Sequence, residues 1–471
     1  MPELKRRLGF WQAYATATGL VVAGSTMVSL GNSFGTIGPA FIVSAFIAML
    51  VSIMIAMSYA ELSSIMPGSG MVGDYTAVSM GRFMAIVALL GGYLVLTAAV
   101  GPMETMTTSM AVHYIFPGFN PVVIAFCILT VFLIINLLGV EIFGSIQLSL
   151  VVILMVMTAG MGLFGLFDLF TVNKSVPSTF NPHGWSTVFQ SLALGLWLFI
   201  GIEYVIPLGE EVKNPEKIIP KAMIFGLSTI FVVDMLFGIA LTRHIDLTKL
   251  SSADIPQILG AKSMYGHTGA IIMALLTLLA GASTINSNLA AIPRMFYGLA
   301  RQGLLPRIFG YIHPTFRTPW FSIILVYLMF ALPLLVLKVN VNIMTTMLMS
   351  ASVTWLISYI ITQVDLLIIR KRYSHIKRPF KAPFTPFIQI IGISVCLYMI
   401  LTIHPNPETK RIVYYISGGF MFFICLYAFC WLKFKKMPLF KPVSLEELKS
   451  QSVFIEQPIP QIQPDQMEKS W

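Results

Sequence analysis

Apolar stretches separated by short polar connections occupy most of the 471 residues of this chain. Each stretch is close to the roughly 20 residues that a helix needs to cross a bilayer. Backbone N–H and C=O groups in hydrocarbon must bond within the protein, so we expect these stretches to be helices. The twelve predicted spans are 11–33, 38–65, 82–113, 122–140, 144–167, 188–209, 219–243, 269–298, 320–338, 342–369, 384–404 and 411–432.

Two of these stretches contain polar and helix-weakening residues in mid-span. The first span includes AGSTMVSLGNSFG (23–35), and the sixth includes FIGIEYVIP (199–207). A glycine such as Gly201 costs a helix about 1 kcal/mol relative to alanine. Pro207 lacks an amide donor and obstructs the carbonyl of Glu203, four residues earlier. We therefore expect both spans to be broken, although a simple proline kink and close packing of small residues are the alternatives.

The two broken spans lie five spans apart, and this placement bears on the architecture. Corresponding breaks in two halves of a chain are typical of transporters with inverted repeats and a midplane site. The expected fold class is an all-α membrane protein with a five-plus-five inverted repeat. The repeats would cover about 11–167 and 188–369 within a transmembrane domain of 11–432, with accessory helices at about 384–432.

The terminal segments outside the spans are short and polar. Residues 1–10 form the N-terminal segment and 433–471 the tail, which is rich in proline and glutamine after Pro442. Such a composition predicts disorder for the tail. Of the 30 Lys and Arg residues, 23 fall on the side that carries both termini, which predicts that both are cytoplasmic in the plasma membrane.

Composition excludes several classes of protein. The chain is 56% hydrophobic and 11% charged, whereas soluble domains are about 25% charged. The net charge of +10 is explained by membrane orientation, so no nucleic-acid partner is expected. Four cysteines and seven histidines are scattered without metal-binding spacing. We therefore expect no metal, no cofactor and, because the spans hold no nucleophile–base pair, no enzymatic activity.

Two acids in the spans are the main candidates for chemistry. An acid at the bilayer centre costs at least about 2.5 kcal/mol, and such residues usually face a cavity, a partner or a substrate. Glu203 is expected to sense the substrate or to carry a coupling proton, the alternative being a structural hydrogen bond. Glu104, in GPMETMTTS of the third span, is the second candidate for proton coupling. Two acids near one cavity would favour a cationic amine or share a proton; alternatively, Glu104 lies near the outer interface.

Other charged residues are expected at the cytoplasmic side. Asp365 stands close to Arg370, which favours a structural role at that end of its span. Arg82 is a candidate partner for Glu61. Glu210 and Glu211 are expected to pair with basic residues of the connecting loops.

Three stretches resemble a known group of transporters. They are AELSSIMPGSGMVGDYTAVSMG (60–81), FIGIEYVIPLGEEVKNPEKIIPKA (199–222) and YGLARQGLLPRIFGYIHPTFRTP (297–319). Over residues 8–435 the chain resembles the amino acid–polyamine–organocation (APC) superfamily, of the amino acid permease type. The resemblance implies a five-plus-five repeat with substrate held between unwound helices 1 and 6.

The resemblance also implies roles for individual residues. Glu203 matches an acid used for substrate response or proton coupling, and Phe199 a possible aromatic gate. MVSLGNSF replaces the usual GxGIF of helix 1, and the fifth span has no lysine of the kind used by some proton-coupled members. The substrate-binding residues expected from the local pattern and the resemblance together are Ala23, Gly24, Ser25, Thr26, Ser29, Phe199, Ile200, Gly201 and Glu203.

The functional hypothesis is a secondary active transporter, a proton-coupled symporter or an exchanger, that moves an amino acid by alternating access. Its expected partners are the small-molecule substrate, a coupling proton or counter-substrate, and membrane lipid. The alternative substrate is a small amine such as ethanolamine or a polyamine, because span one and Glu104 resemble the ethanolamine-permease branch. A channel or sensor is a further class, but a channel would favour rings of charge or a filter loop, and one isolated pair of breaks fits alternating access better.

Overall fold

The computed structural model describes residues 4–175, 179–336, 341–404 and 406–448, without the side chains of 336 and 341–345. This part of the chain is helical and contains no β-strand; its one isolated bridge joins Leu8 to Val212. The seventeen α-helices within it are α1 (Phe10–Val21), α2 (Gly24–Ile37), α3 (Phe41–Ile65), α4 (Val72–Ser79), α5 (Arg82–Leu89), α6 (Val95–Ile115), α7 (Pro121–Leu138), α8 (Val140–Leu166), α9 (Trp185–Gln190), α10 (Leu192–Trp197), α11 (Pro215–His244), α12 (Leu247–Ser251), α13 (Pro256–Arg301), α14 (Trp320–Val336), α15 (Val341–Arg372), α16 (Phe387–Leu401) and α17 (Pro407–Phe434).

Many of these helices can cross a membrane. In the described residues, eight are long and apolar enough: Phe41–Ile65, Arg82–Ile115, Pro121–Leu138, Val140–Leu166, Pro215–His244, Pro256–Arg301, Thr346–Arg372 and Pro407–Phe434. The pair α1 and α2 qualifies when taken as one bent span. Shorter apolar helices occupy Leu192–Leu208, Trp320–Leu335 and Phe387–Leu401. The all-helical membrane class is thus confirmed, while the count of twelve and the inverted repeat stay predictions.

Both expected breaks are present. The axes of α1 and α2 differ by 57°, with Val22 and Ala23 outside the helices. Beyond α10, Gly201 has a φ of +106°, and a 3₁₀ helix then runs over Ile202–Leu208. Only glycine takes such a left-handed φ at little cost, so Gly201 permits the break at its position.

A third irregularity lies in the span Arg82–Ile115, where five residues, Leu90–Leu94, form a π-helical turn. A Cβ added at Gly92 would lie 2.6 Å from Cβ of Ser358, so this glycine allows close approach of α15. The turn carries Tyr93 into the buried interior. Such turns are frequent at functional sites; the hydropathy pattern does not predict this one.

At one end of the bundle, buried carboxylates pair with arginines. Glu211 and Arg294 form a pair of which each side chain is only 1% exposed, and Arg301 bonds to Glu210 at 2.8 Å. Both acids pair with arginines, but Arg294 and Arg301 belong to the last turns of α13 rather than to a connecting loop. The Glu61–Arg82 pairing is wrong: Glu61 pairs with Arg370 and Arg378, because α15 and the loop after it pack against the end of α3.

The chain beyond α17 returns to the same end of the bundle. The Val443 N–H donates to the Ala77 carbonyl over 2.9 Å, and Arg82 pairs with Glu447 at 2.6 Å. Residues 443–447 of the expected tail therefore contact α4 and α5. The rest of the expected tail, 449–471, lies outside the described residues.

Candidate functional site

The two breaks face a common cavity. Its empty volume is about 550 Å³, and its walls come from α1, α2, α6, α10, the 197–204 segment, α13 and α15. The polar part of the lining consists of Ser25, Thr26, Glu104, Tyr204, Thr284 and Asn288. We refer to this space as the break cavity.

Glu104 of α6 reaches the start of α2. Its Oε2 accepts the Gly24 N–H at 3.1 Å, and its Oε1 accepts the Ser25 N–H at 3.3 Å. The first amides of a helix have no partner within the helix and carry partial positive charge, so a carboxylate there is favoured. Glu104 is only 2% exposed, so its carboxylate is buried inside the protein.

Local hydrogen bonds hold the break itself. Thr26 Oγ1 donates toward the Val21 and Ala23 carbonyls over 3.0 and 2.8 Å and accepts the Ala23 N–H at 2.8 Å. These bonds replace some of the helical bonds lost between α1 and α2. Thr26 therefore holds the unwound turn between α1 and α2, and Glu104 bonds to the two residues that follow this turn.

Glu203 lies in a different environment, a second cavity of about 370 Å³ of empty volume. Its carboxylate accepts the Tyr359 hydroxyl at 2.7 Å and the Tyr93 hydroxyl at 3.1 Å. Tyr93 in turn shares a 3.0 Å bond with Tyr59, whose hydroxyl accepts from Thr362 at 3.0 Å. This tyrosine network joins the 3₁₀ segment Ile202–Leu208 to α3, the π-helical turn and α15. We call this second space the tyrosine cavity.

The expected site residues are divided between the two cavities. The break cavity is lined by Ala23, Ser25, Thr26, Ile200 and Glu104, with Gly24 bonded to Glu104.

Phe199, Ile200 and Glu203 line the tyrosine cavity, and the Gly201 N–H donates to the Tyr359 hydroxyl at 3.3 Å. Ser29 lies farther along α2 and lines neither of these two cavities. The structure thus places Glu104, rather than Glu203, beside the break in the first span.

Several lining residues were absent from the expectations. Thr284 and Asn288 belong to the polar run STINSN (283–288) in an apolar span, a signal that could have identified them. The tyrosines around Glu203 carry no local signal, because tyrosine in an apolar helix is ordinary. Their grouping depends on how three helices pack.

Metal binding gains no support from the geometry. Across the described residues, no group of three or more His, Cys, Asp or Glu side chains could hold a metal ion. Such groups supply most protein ligands for transition metals. The acids here meet backbone amides, hydroxyls or arginines instead.

The family profile described as "Amino acid permease" matches residues 8–431. The chain belongs to the amino acid permease family. It thereby falls in the APC superfamily, as the sequence motifs indicate.

Individual relatives are distant but extend over nearly the whole chain. The branched-chain amino acid permease BcaP of Bacillus subtilis is 26% identical, covering 90% of this chain and 93% of that protein. The methylthioribose transporter of the same organism is 25% identical over 90% and 94%. Its glutamate/serine transporter AimA is 23% identical over 89% and 81%.

Among solved structures, a mutant of the Eremococcus coleocola manganese transporter has a similar fold. The TM-score is 0.61 with 12% identity, covering 90% of this chain and 94% of the other. At this identity the likeness concerns the fold alone. The family and the relatives above, by contrast, are permeases and membrane transporters rather than enzymes.

Proposed function

We propose that this permease is a secondary active transporter for an amino acid or a related small amine in the plasma membrane. The observation that carries the proposal is that both broken segments, at 22–23 and 198–208, contribute walls to one cavity. Half-helix ends at such breaks supply the partial charges that hold a small solute in the middle of a transporter. The substrate would bind in the break cavity.

Alternating access follows from this arrangement. In the proposal, α1–α2 and the Leu192–Leu208 segment move together against a scaffold that includes α3, α8, α13 and α15. Twelve spans, a five-plus-five repeat and cytoplasmic termini complete the proposed architecture. The bias of basic residues and the spacing of the two breaks support these features.

Glu203 is the proposed site of proton coupling. As a carboxylate it accepts two phenol hydrogen bonds, from Tyr93 and Tyr359. A protonated carboxyl is itself a donor, so Glu203 can donate to one of these phenols once it gains a proton, and that phenol's hydroxyl then reorients. Because Tyr359 also accepts the Gly201 N–H, protonation would alter the contact between the moving segment and the scaffold. Glu104 remains a second candidate for carrying a proton.

Family membership leaves the substrate open. BcaP and AimA are named for amino acids, whereas another relative is named for methylthioribose. The transport mode therefore has to be tested without assuming one substrate class.

The decisive experiment is counterflow in proteoliposomes. Purified protein is reconstituted, the vesicles are loaded with an unlabelled amino acid or amine, and uptake of the same labelled solute is followed. We expect saturable uptake that overshoots equilibrium, since an alternating-access carrier exchanges solute across the membrane. Flux that rises linearly with concentration and ignores internal solute would identify a channel and contradict the proposal.

A further inference from the structure

The start of α2 is already occupied by a carboxylate of the protein. The amides of Gly24 and Ser25 both donate to Glu104, one to each carboxylate oxygen. In broken-helix transporters such a helix start is where a substrate's own anionic group can bind. In this chain the carboxylate of Glu104 fills that position. Glu104 belongs to α6 and lies 80 residues after Gly24 in the sequence.

Packing fixes Glu104 in this position. Thr108 lies on α6 one turn after Glu104, and it packs against Gly281 of α13. A Cβ added to Gly281 would lie 1.7 Å from Thr108 Oγ1, so only glycine at position 281 lets the two helices approach this closely. One turn before Glu104, a Cβ on Gly101 would meet the Phe330 ring at 2.1 Å. Close packing on either side of Glu104 thus holds α6 in place, and the Glu104 carboxylate forms part of the cavity wall.

The charge of the cavity walls has one sign. Among the described residues that line the break cavity and the tyrosine cavity, the charged ones are Glu104 and Glu203, with no Lys, Arg or His. A substrate carboxylate would meet like charge, a helix start whose first amides are taken, and no cation. Like charges in a poorly solvated site repel strongly.

The same walls suit an ammonium group. Trp197, Tyr204 and Trp355 line the break cavity beside Glu104, and aromatic faces attract cations. Ser25, Thr26, Thr284 and Asn288 add hydroxyl and amide groups, and the remainder of the lining is aliphatic or Met. An ammonium paired with Glu104, attached to a short apolar or hydroxyl-bearing chain, would leave no charge in the break cavity unmatched.

We propose that the substrate is a small primary amine without a carboxylate, of the amino alcohol, alkylamine or diamine type, whose ammonium binds Glu104 at the start of α2. This inference rests on the proposed transport function and narrows its substrate class. It assigns to Glu104 the place that a substrate carboxylate would otherwise take. Glu104 is then a specificity-determining residue.

The test compares solutes that differ only by a carboxylate. Purified protein in nanodiscs is titrated with 2-aminoethanol against serine, 1,4-diaminobutane against ornithine, and 3-methylbutylamine against leucine. Thermal stabilisation and calorimetry report binding without requiring transport. We expect the amine of at least one pair to bind ten-fold or more tightly than its amino acid. Equal or tighter binding of the amino acids overturns the inference, even where counterflow of those amino acids upholds the proposed transport function.

A substitution then tests whether Glu104 binds the amine. Glu104→Gln should weaken binding of the preferred amine at least ten-fold, whereas Glu408→Gln, an exposed glutamate at the start of α17, should not change it. Unchanged amine binding in Glu104→Gln overturns the assignment of Glu104. If that variant does not fold, the wild-type comparison of the three pairs decides the substrate class. If neither the amines nor the amino acids bind, the proposed substrate class is wrong. If none of these solutes is taken up by proteoliposomes, the transport proposal is wrong.

Discussion

At the scale of single residues, two buried carboxylates in similar apolar surroundings have opposite kinds of partner. Glu104 accepts from backbone amides, whereas Glu203 accepts from side-chain hydroxyls. Amides at a helix start cannot reorient, so they hold a fixed charge. Hydroxyls can rotate and can either donate or accept. Glu104 is thus suited to binding a cation, and Glu203 to gaining and losing a proton.

The role of Glu203 leads to a prediction about transport. Glu203→Gln places an amide, which cannot ionise, among the phenols of Tyr93 and Tyr359. We expect uptake in proteoliposomes to fall ten-fold or more, or to lose its dependence on pH. The measurement is initial uptake rate between pH 5.5 and 8 at matched protein incorporation.

A purely structural role would give a different pattern. Tyr359→Phe removes one phenol bond but leaves the carboxyl able to titrate, so it serves as the matched variant. If the pH profile of Glu203→Gln equals that of the wild type at a normal rate, Glu203 does not carry the coupling proton.

At the scale of elements, glycine conformation sets where the sixth apolar segment opens. Gly201 has φ +106°, and a Cβ there would lie 2.5 Å from Leu20 Cδ2 of α1. The same residue therefore permits the left-handed turn and the close approach of the two broken segments. Pro207 lies inside the following 3₁₀ helix, which continues past it.

Substitution at this position should be costly. Gly201→Ala forces a side chain into a left-handed conformation, which costs on the order of 1–3 kcal/mol, and adds a clash with Leu20. We expect a lower unfolding temperature in detergent and slower transport. Gly160→Ala is the control: this glycine lies in α8 with nothing within 4 Å of an added Cβ. That variant should be unchanged or slightly more stable, since alanine favours helix by about 1 kcal/mol; equal losses in both variants would show that the conformation at 201 is not special.

At the scale of the whole molecule, the segment before α1 and the segment after α17 are both bonded to other parts of the protein. The Arg7 N–H donates to the Glu211 carbonyl at 2.8 Å, and the segment after α17 bonds to α4 and α5. Glu211–Arg294 joins the loop before α11 to α13, and Glu61–Arg370 joins α3 to α15. Breaking one partner of such a buried pair leaves an uncompensated charge, so both pairs are expected to be sensitive to single substitutions.

One acid of α4 makes overall stability depend on pH. Asp74, in the short helix α4 outside the membrane-spanning helices, is 5% exposed and accepts from Gln302. Burial and the neighbouring charge of Glu210 raise the pKa of Asp74 to about 7, although Arg301 opposes the rise. The folded state therefore holds a proton that the unfolded chain releases near pH 4.

The sign of the effect follows from this linkage. The raised pKa costs the folded state stability progressively as pH rises from about 4 to about 7, and the loss is constant above that. We expect Asp74→Asn to gain unfolding temperature relative to wild type over this range, measured in nanodiscs at pH 5, 6, 7 and 8. Asp254→Asn, at an exposed position, should show no such trend; a difference for Asp74→Asn that does not change with pH would contradict the raised pKa.

The sequence by itself determined the apolar helical segments and which two of them are interrupted. Hydropathy and local composition depend on the residues of one segment, so the apolar stretches and the interruptions within 23–35 and 199–207 could be predicted without knowing any contact. The structure placed the first break at 22–23, with α2 continuous through MVSLGNSF. The same holds for the presence of Glu104 and Glu203 in apolar segments. The family motifs added the expectation that the two breaks work together.

The partners of the buried charges were decided by the tertiary structure. Glu104 meets Gly24 across 80 residues, and Glu203 meets Tyr359 across 156; Glu61 meets Arg370 rather than Arg82. Periodicity carries no information on which faces of distant helices touch, because that depends on how closely glycines such as Gly281 let them approach. Since a buried carboxylate acts through its partners, the chemistry of each cavity was settled only when the helices packed.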